Sequence, residues 1–267
     1  MRSVLLVLLI LLTPVITFSS PRVWVEKNTG IEFVWVPGGC FTKGCLPKDK
    51  KCYFDEKPPE KVCVKGFWIS RHEITVKQWK TFAKESNYKP SKKDLWGCED
   101  TAKPTFPQGD NHPVVCVNWY DAKAFARWLS KKDNLKFSLP TEAQWEYACK
   151  GPDSNIFSCG NAIDGDKANF WSGFGGKSKR DVFKYTSPVC HFPPNKFGIC
   201  DLSGNVWEWT EDWYAIPNIP ERKEEKVIKG GGWESKAKFL RCSTRKGIAP
   251  ERNYDTVGFR LVVEKVK

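Results

Sequence analysis

An α+β domain with little steady periodicity is the fold class this sequence predicts, and three observations predict it. Alternating apolar runs mark strands early in the chain and again at its end. Between them lie three segments read as helices, at about residues 75–85 and 119–131 and from Thr141 onward. From Gly151 onward, glycine, proline and aromatic residues replace any regular period. At 267 residues the chain can bury one full core. No repeat and no linker divides it, so one domain over residues 21–267 is expected.

The first twenty residues read as an export signal. Arg2 supplies the charged start, Val4 to Leu12 is apolar, and Thr17-Phe18-Ser19 offers small residues for cleavage. Pro14 interrupts the run, which is short for a membrane span. No cysteine closes the segment, which argues against a lipid anchor. A periplasmic or extracellular protein follows as the expectation.

Ile31 to Val36 alternates and ends at Pro37-Gly38-Gly39, a strand and a turn. Cys40 to Cys63, rich in lysine, proline and cysteine, reads as a stapled loop. Val62 to Ile69 reads as one further strand. Thr75 to Glu85 places Val76, Trp79, Phe82 and Ala83 at helical spacing. Tyr88 to Pro113 is loop-like, with Pro90, Pro104 and Pro107. Trp119 to Lys131 gathers Ala122, Phe125, Ala126 and Leu129 on one helical face. A third helix starts at Thr141, where Thr-Glu-Ala-Gln is a capping box: Thr141 and Gln144 each satisfy a first-turn amide. The irregular second half requires support from metals or disulfides. Gly258 to Lys265 reads as a closing strand.

Eleven cysteines in an exported chain form a disulfide framework. The odd count leaves one thiol free, or paired between chains. Zinc is not expected, since no Cys-x-x-Cys pair exists and His72, His112 and His191 lie far apart. The net charge of +12 suits an acidic partner. The lysines are scattered, and nucleic acid is an improbable partner for such a chain.

Two segments are the most informative. Gly204-Asn205-Val206-Trp207-Glu208-Trp209 sets a glutamate between two indoles, which requires a cation or a strong donor. Gly258-Phe259-Arg260 answers it. Further motifs come in order: Phe33 to Gly39, Glu73-Ile74-Thr75 with Gln78, His112 to Val115 with Trp119 to Ala122, Leu139 to Ala148, Gly230 to Trp233, and Arg241-Cys242 with Arg245. Together they resemble the formylglycine-generating enzyme family, the sulfatase-modifying factors, from about Ile31 to Val263.

That resemblance implies a variant of the C-type lectin fold: low regular secondary structure, a small twisted antiparallel sheet and a few helices. It implies two calcium sites. Asn169, Phe170, Asp181 and Phe183 match one; Asp201, Gly204, Val206 and Glu208 match the other. Hard carboxylate and carbonyl oxygens suit that ion. It also implies a Cys149–Cys242 disulfide.

The resemblance fails at the reactive centre. Family enzymes oxidise a sulfatase cysteine with two cysteines that bind copper, for which soft thiolates are suited. Here Ser235 falls at the first position, the second has no counterpart, and Thr256 replaces an asparagine before the Gly-Phe-Arg motif. Copper is therefore not expected. An iron site is weak, because the histidines form no triad. Trp233, Ser235, Lys236, Lys238 and Phe239 then become candidate ligand-binding residues, with stacking area and cations for an acidic glycan, polypeptide or cell-surface polymer. The rival readings are an oxidising enzyme with a rearranged centre, using a thiol among Cys159, Cys190 and Cys200, and a scaffold with an inter-chain disulfide.

Overall fold

The computed structural model describes residues 21–90, 95–171, 183–216, 219 and 223–264. The first twenty residues, expected to be an export signal, Asp181 and Lys265 of the expected closing strand lie outside them. The described residues form an α+β fold in which short strands and three α-helices are joined by long ordered loops.

A five-stranded antiparallel sheet sits at the centre. Its strands run, in spatial order, Val23–Val25, Glu32–Val36, Phe67–Ser70, Val262–Val263 and Phe137–Ser138. Successive side chains of a strand point to opposite faces, and both faces here are covered. Phe33, Phe137 and Val263 join one apolar cluster. Val34, Val36, Ile69 and Val262 join another. Burial on both sides explains why Ile31 to Val36 is so apolar.

Helix α1 (Val76–Ser86) and helix α2 (Trp119–Asp133) pack against the first cluster. Trp79 and Phe125 stack with centroids 6.2 Å apart. Phe259 meets Phe125 edge-on at 5.5 Å. Helix α3 (Glu142–Lys150) carries Trp145 and Tyr147 into the second cluster. All three helices start on a capping box. The expected one joins Thr141 and Gln144, at 3.1 and 2.9 Å. Thr75 with Gln78 and Asn118 with Asp121 form two more.

Several expectations need correction. Val62 to Ile69 is not one strand: Glu60–Val64 and Phe67–Ser70 belong to different sheets. The Cys40–Cys63 segment is bounded by a strand pair, Gly39–Lys43 with Glu60–Val64, and Cys40 lies directly opposite Cys63. Tyr88 to Pro113 holds short strands at Leu95–Trp96, Cys98–Asp100 and Lys103–Pro104. The closing strand is broken into Val257–Gly258 and Val262–Val263, which join separate sheets. The irregular second half contains a second sheet, ordered Arg245–Ile248, Lys226–Lys229, Trp207–Trp213 and Val257–Gly258, with its last pair parallel. Lys226 to Lys229 is buried without alternation, which hid this sheet from a period-2 reading.

Five disulfides bind the loops: Cys40–Cys63, Cys45–Cys52, Cys98–Cys116, Cys149–Cys242 and Cys190–Cys200. The Cys149–Cys242 bridge implied by the resemblance is present. It closes a separation of 93 residues, a crosslink that removes about 4 to 5 kcal/mol of denatured-chain entropy in the chain-entropy picture. Cys159 is the unpaired cysteine.

Candidate functional site

The Trp-Glu-Trp segment opens the longest strand of the second sheet, and Glu208 is fully buried there. Its Oε1 accepts from Arg260 Nη2 and its Oε2 from Arg260 Nε, both at 2.6 Å. Trp145 Nε1 donates to Oε2 at 2.7 Å. The cation demanded by a glutamate among indoles is thus the guanidinium of the Gly-Phe-Arg motif. Arg260 also donates to the carbonyls of Ser70 at 3.1 Å and Cys200 at 3.0 Å. Glu208 is therefore held as an ion-pair partner, a role the calcium assignment had not given it.

Two further carboxylates face this pair. Asp201, at φ 59°, accepts the Cys190 amide at 2.7 Å. Burial and the charge of Glu208 push its pKa up to about 6, against the pull of that amide and of Arg260. Glu73 is fully buried. Its Oε1 accepts from Asn205 Nδ2 at 3.1 Å, while its Oε2 has no hydrogen-bond donor. Burial and the neighbouring Asp201 charge hold the Glu73 carboxyl well above the usual carboxylate range. Three buried carboxylates thus accompany one guanidinium, and Glu73 Oε2, a buried oxygen without a donor, would suit a hard cation. Cys190 and Cys200, next to Asp201, are bonded to each other.

Of the residues expected at the other ion site, Asn169, Phe170 and Phe183 are among the described ones. Asn169 is buried; its Nδ2 donates to the Tyr185 carbonyl at 2.8 Å and its carbonyl accepts from the Asn205 amide at 2.9 Å. Phe170 is buried against Ala168 and Leu240. Phe183 packs edge-on to His191 at 4.9 Å. Gly204 has φ 98°, and a Cβ there would stand 2.4 Å from the Asn169 carbonyl oxygen. Only glycine permits both that conformation and that approach. Asn205 ties the two loops and Glu73 into one cluster.

A separate cavity of about 640 Å³ opens over the segment after the Gly-Gly motif. Ser235, Lys236, Lys238 and Phe239, the candidate ligand-binding residues, line it. Trp233 does not: its ring turns to Phe106 and Tyr185, at 5.8 and 5.2 Å. Tyr53 and Phe54, from the disulfide-bounded loop, form the facing wall. Tyr53 stacks on Phe239 with centroids 5.9 Å apart and planes 9° off parallel. Lys238 Nζ lies 4.9 Å from the Phe239 ring and 5.6 Å from that of Tyr53. Nothing in the sequence could bring Tyr53 beside Phe239, since the loop has no period.

The arginines near the cavity are structural. Arg241 is buried between Asp49, at 2.8 Å, and Glu56, at 2.7 Å. Arg245 lines the cavity but pairs with Glu142, Nε to Oε1 at 2.8 Å, and donates to the Ala215 carbonyl. No cysteine lines the cavity. Ser235 Oγ accepts from the Gly232 amide at 3.1 Å and donates to Glu234 Oε1 at 2.9 Å.

The profile of the Sulfatase-modifying factor enzyme 1-like domain matches residues 22–265. The chain belongs to that family. It is 29% identical to the formylglycine-generating enzyme of Mus musculus, over 87% of this chain and 75% of that one. It is 30% identical to the inactive C-alpha-formylglycine-generating enzyme 2 of Bos taurus, over 93% and 94%. It is 32% identical to the serine/threonine-protein kinase pkn1 of Chlamydia caviae over 86% of its own length, but spans 37% of that protein. Among solved structures, PvdO from Pseudomonas aeruginosa superimposes with a TM-score of 0.82 at 30% identity, covering 92% of this chain and all of that one. The relatives thus include proteins named as a formylglycine-generating enzyme and as an inactive one.

Proposed function

We propose that this family member is an exported binding protein, supported by calcium, whose cavity receives an acidic glycan. The observation that carries the reading is the cavity wall itself. By the family resemblance Ser235 falls where an oxidase would have its first copper-binding cysteine, and the wall around it carries lysines and stacked aromatic rings. A hydroxyl is a poor ligand for Cu(I), and Cys242 is committed to Cys149. Lys236, Lys238 and Lys246 are exposed at the cavity and form no ion pair with a described residue. Aromatic faces beside free ammonium groups suit a sugar ring that bears a carboxylate or sulfate. Export is supported by the N-terminal segment and by the density of disulfides.

Calcium, when bound, supplies positive charge to the buried carboxylates and joins irregular loops. Glu73 and Asp201, with carbonyls of the Gly204–Val206 turn, would hold one ion, and Glu208 stays on Arg260. Asn169, Phe170, Asp181 and Phe183 would hold the other.

The test is binding of a hexuronate-containing oligosaccharide by calorimetry. Lys236→Glu combined with Lys238→Glu is expected to weaken affinity at least tenfold, about 1.4 kcal/mol. Unchanged affinity would sink the assignment.

Cys159 favours a second reading, an oxidase with a rearranged centre or a disulfide-linked dimer. Its thiol is pushed up by burial, which disfavours a reactive thiolate. Thiol titration, turnover of a Cys-x-Pro-x-Arg peptide and non-reducing electrophoresis would reveal either activity.

A further inference from the structure

Two carboxylates line the cavity, and Tyr214 donates to Asp55 at 2.7 Å, which leaves Glu234 to run against the basic surroundings. Glu234 is exposed at the wall and fixed in place. Its Oε1 accepts from Trp207 Nε1 at 3.2 Å and from Ser235 Oγ at 2.9 Å. Both donors are buried, Trp207 at 4% and Ser235 at 6% exposure. Its Oε2 lies over the backbone at Gly232, where a Cβ would approach to 2.5 Å. No described residue donates to Oε2. The adjacent lysines do not neutralise it: Lys236 sits 5.0 Å from the Trp171 ring, and Lys238 sits over Phe239. Asp255 lies nearby, and burial together with the Glu234 charge pushes its pKa up to about 6. Glu234 therefore offers a fixed carboxylate at the cavity wall, although the chain is strongly basic. Preorganised side chains lose little freedom on binding, so such a carboxylate recognises a donor efficiently.

We infer that Glu234 makes the cavity bipolar and selects a ligand carrying a free ammonium group beside its anionic one. On the reading of the cavity as a glycan site, on which this rests, the ligand is a polysaccharide in which acidic sugars alternate with amino sugars whose nitrogen is not acetylated. The ammonium meets Glu234 Oε2, and the carboxylate meets Lys238 and Lys246.

The experiment compares two probes by calorimetry on the full chain: an oligosaccharide of alternating hexuronate and N-acetylhexosamine, and the same oligosaccharide after N-deacetylation. The parent protein is expected to bind the free-amine probe about tenfold more tightly. Glu234→Gln, which keeps the Oε1 acceptor, is expected to erase that preference. Lys236→Glu with Lys238→Glu should weaken both. Equal affinity of the parent for the two probes, or a preference that survives Glu234→Gln, overturns the inference while leaving the anionic-ligand reading intact. Failure of both probes to bind overturns both. A lysine–glutamate peptide that binds through Glu234 where the glycans do not would overturn the glycan source.

Discussion

At the residue scale, two arginines show how tertiary partners settle a role. Arg260 is sealed from water and bound at both carboxylate oxygens by Glu208. Arg241 is equally buried and lies among Asp49, Glu56 and the Ser243 hydroxyl. Buried pairs of this kind add little net stability, yet removing one partner leaves uncompensated charge in a medium of low dielectric. Arg241→Met is therefore expected to destabilise the fold by about 3 to 5 kcal/mol in urea denaturation. Because Asp49 and Glu56 flank Tyr53, the same variant should also loosen the aromatic wall of the cavity. A loss of less than about 1 kcal/mol would mean that these carboxylates are solvated.

At the scale of elements, helices were legible and much of the sheet was not. Helical spacing and hydroxyl or amide caps are local signals, and Thr75, Asn118 and Thr141 each lead a helix through a box formed within four residues. The Trp207–Trp213 strand pairs with Lys226–Lys229 and, in parallel, with Val257–Gly258. Neither partner announces itself locally, and Val257–Gly258 is only two residues long. The turn before this strand depends on Gly204. Gly204→Ala places a side chain at φ 98° and against the Asn169 carbonyl. It is expected to cost more than about 1 kcal/mol in thermal or urea unfolding. Stability equal to the parent would show that the loop shifts freely.

At the scale of the whole molecule, disulfides and buried charge replace regular structure. The Cys149–Cys242 bridge fixes α3 to the segment below the cavity, and Cys40–Cys63 with Cys45–Cys52 frames the loop that supplies Tyr53 and Phe54. The Glu73, Asp201 and Glu208 cluster lies at the junction of both sheets, so its charge balance affects the entire fold. Calcium is expected to raise the unfolding midpoint, and at one hundred times its dissociation constant to add about 2.7 kcal/mol. Glu73→Gln should reduce that increment, whereas chelation of the parent should lower the midpoint. An identical midpoint with calcium and with chelator would remove calcium from this account.

The sequence by itself determined the family, the α+β class and the three helices. Those features rest on local periodicity, caps and an ordered series of motifs. Only the tertiary structure decided that Glu208 belongs to Arg260, that Glu73 joins Asp201, that Trp233 turns away and that Tyr53 and Glu234 face one cavity. The reason is physical. Each of those facts depends on groups far apart in the chain that share a desolvated space, and charge pairing in such a space is set by distance and burial, which no local pattern of residues encodes.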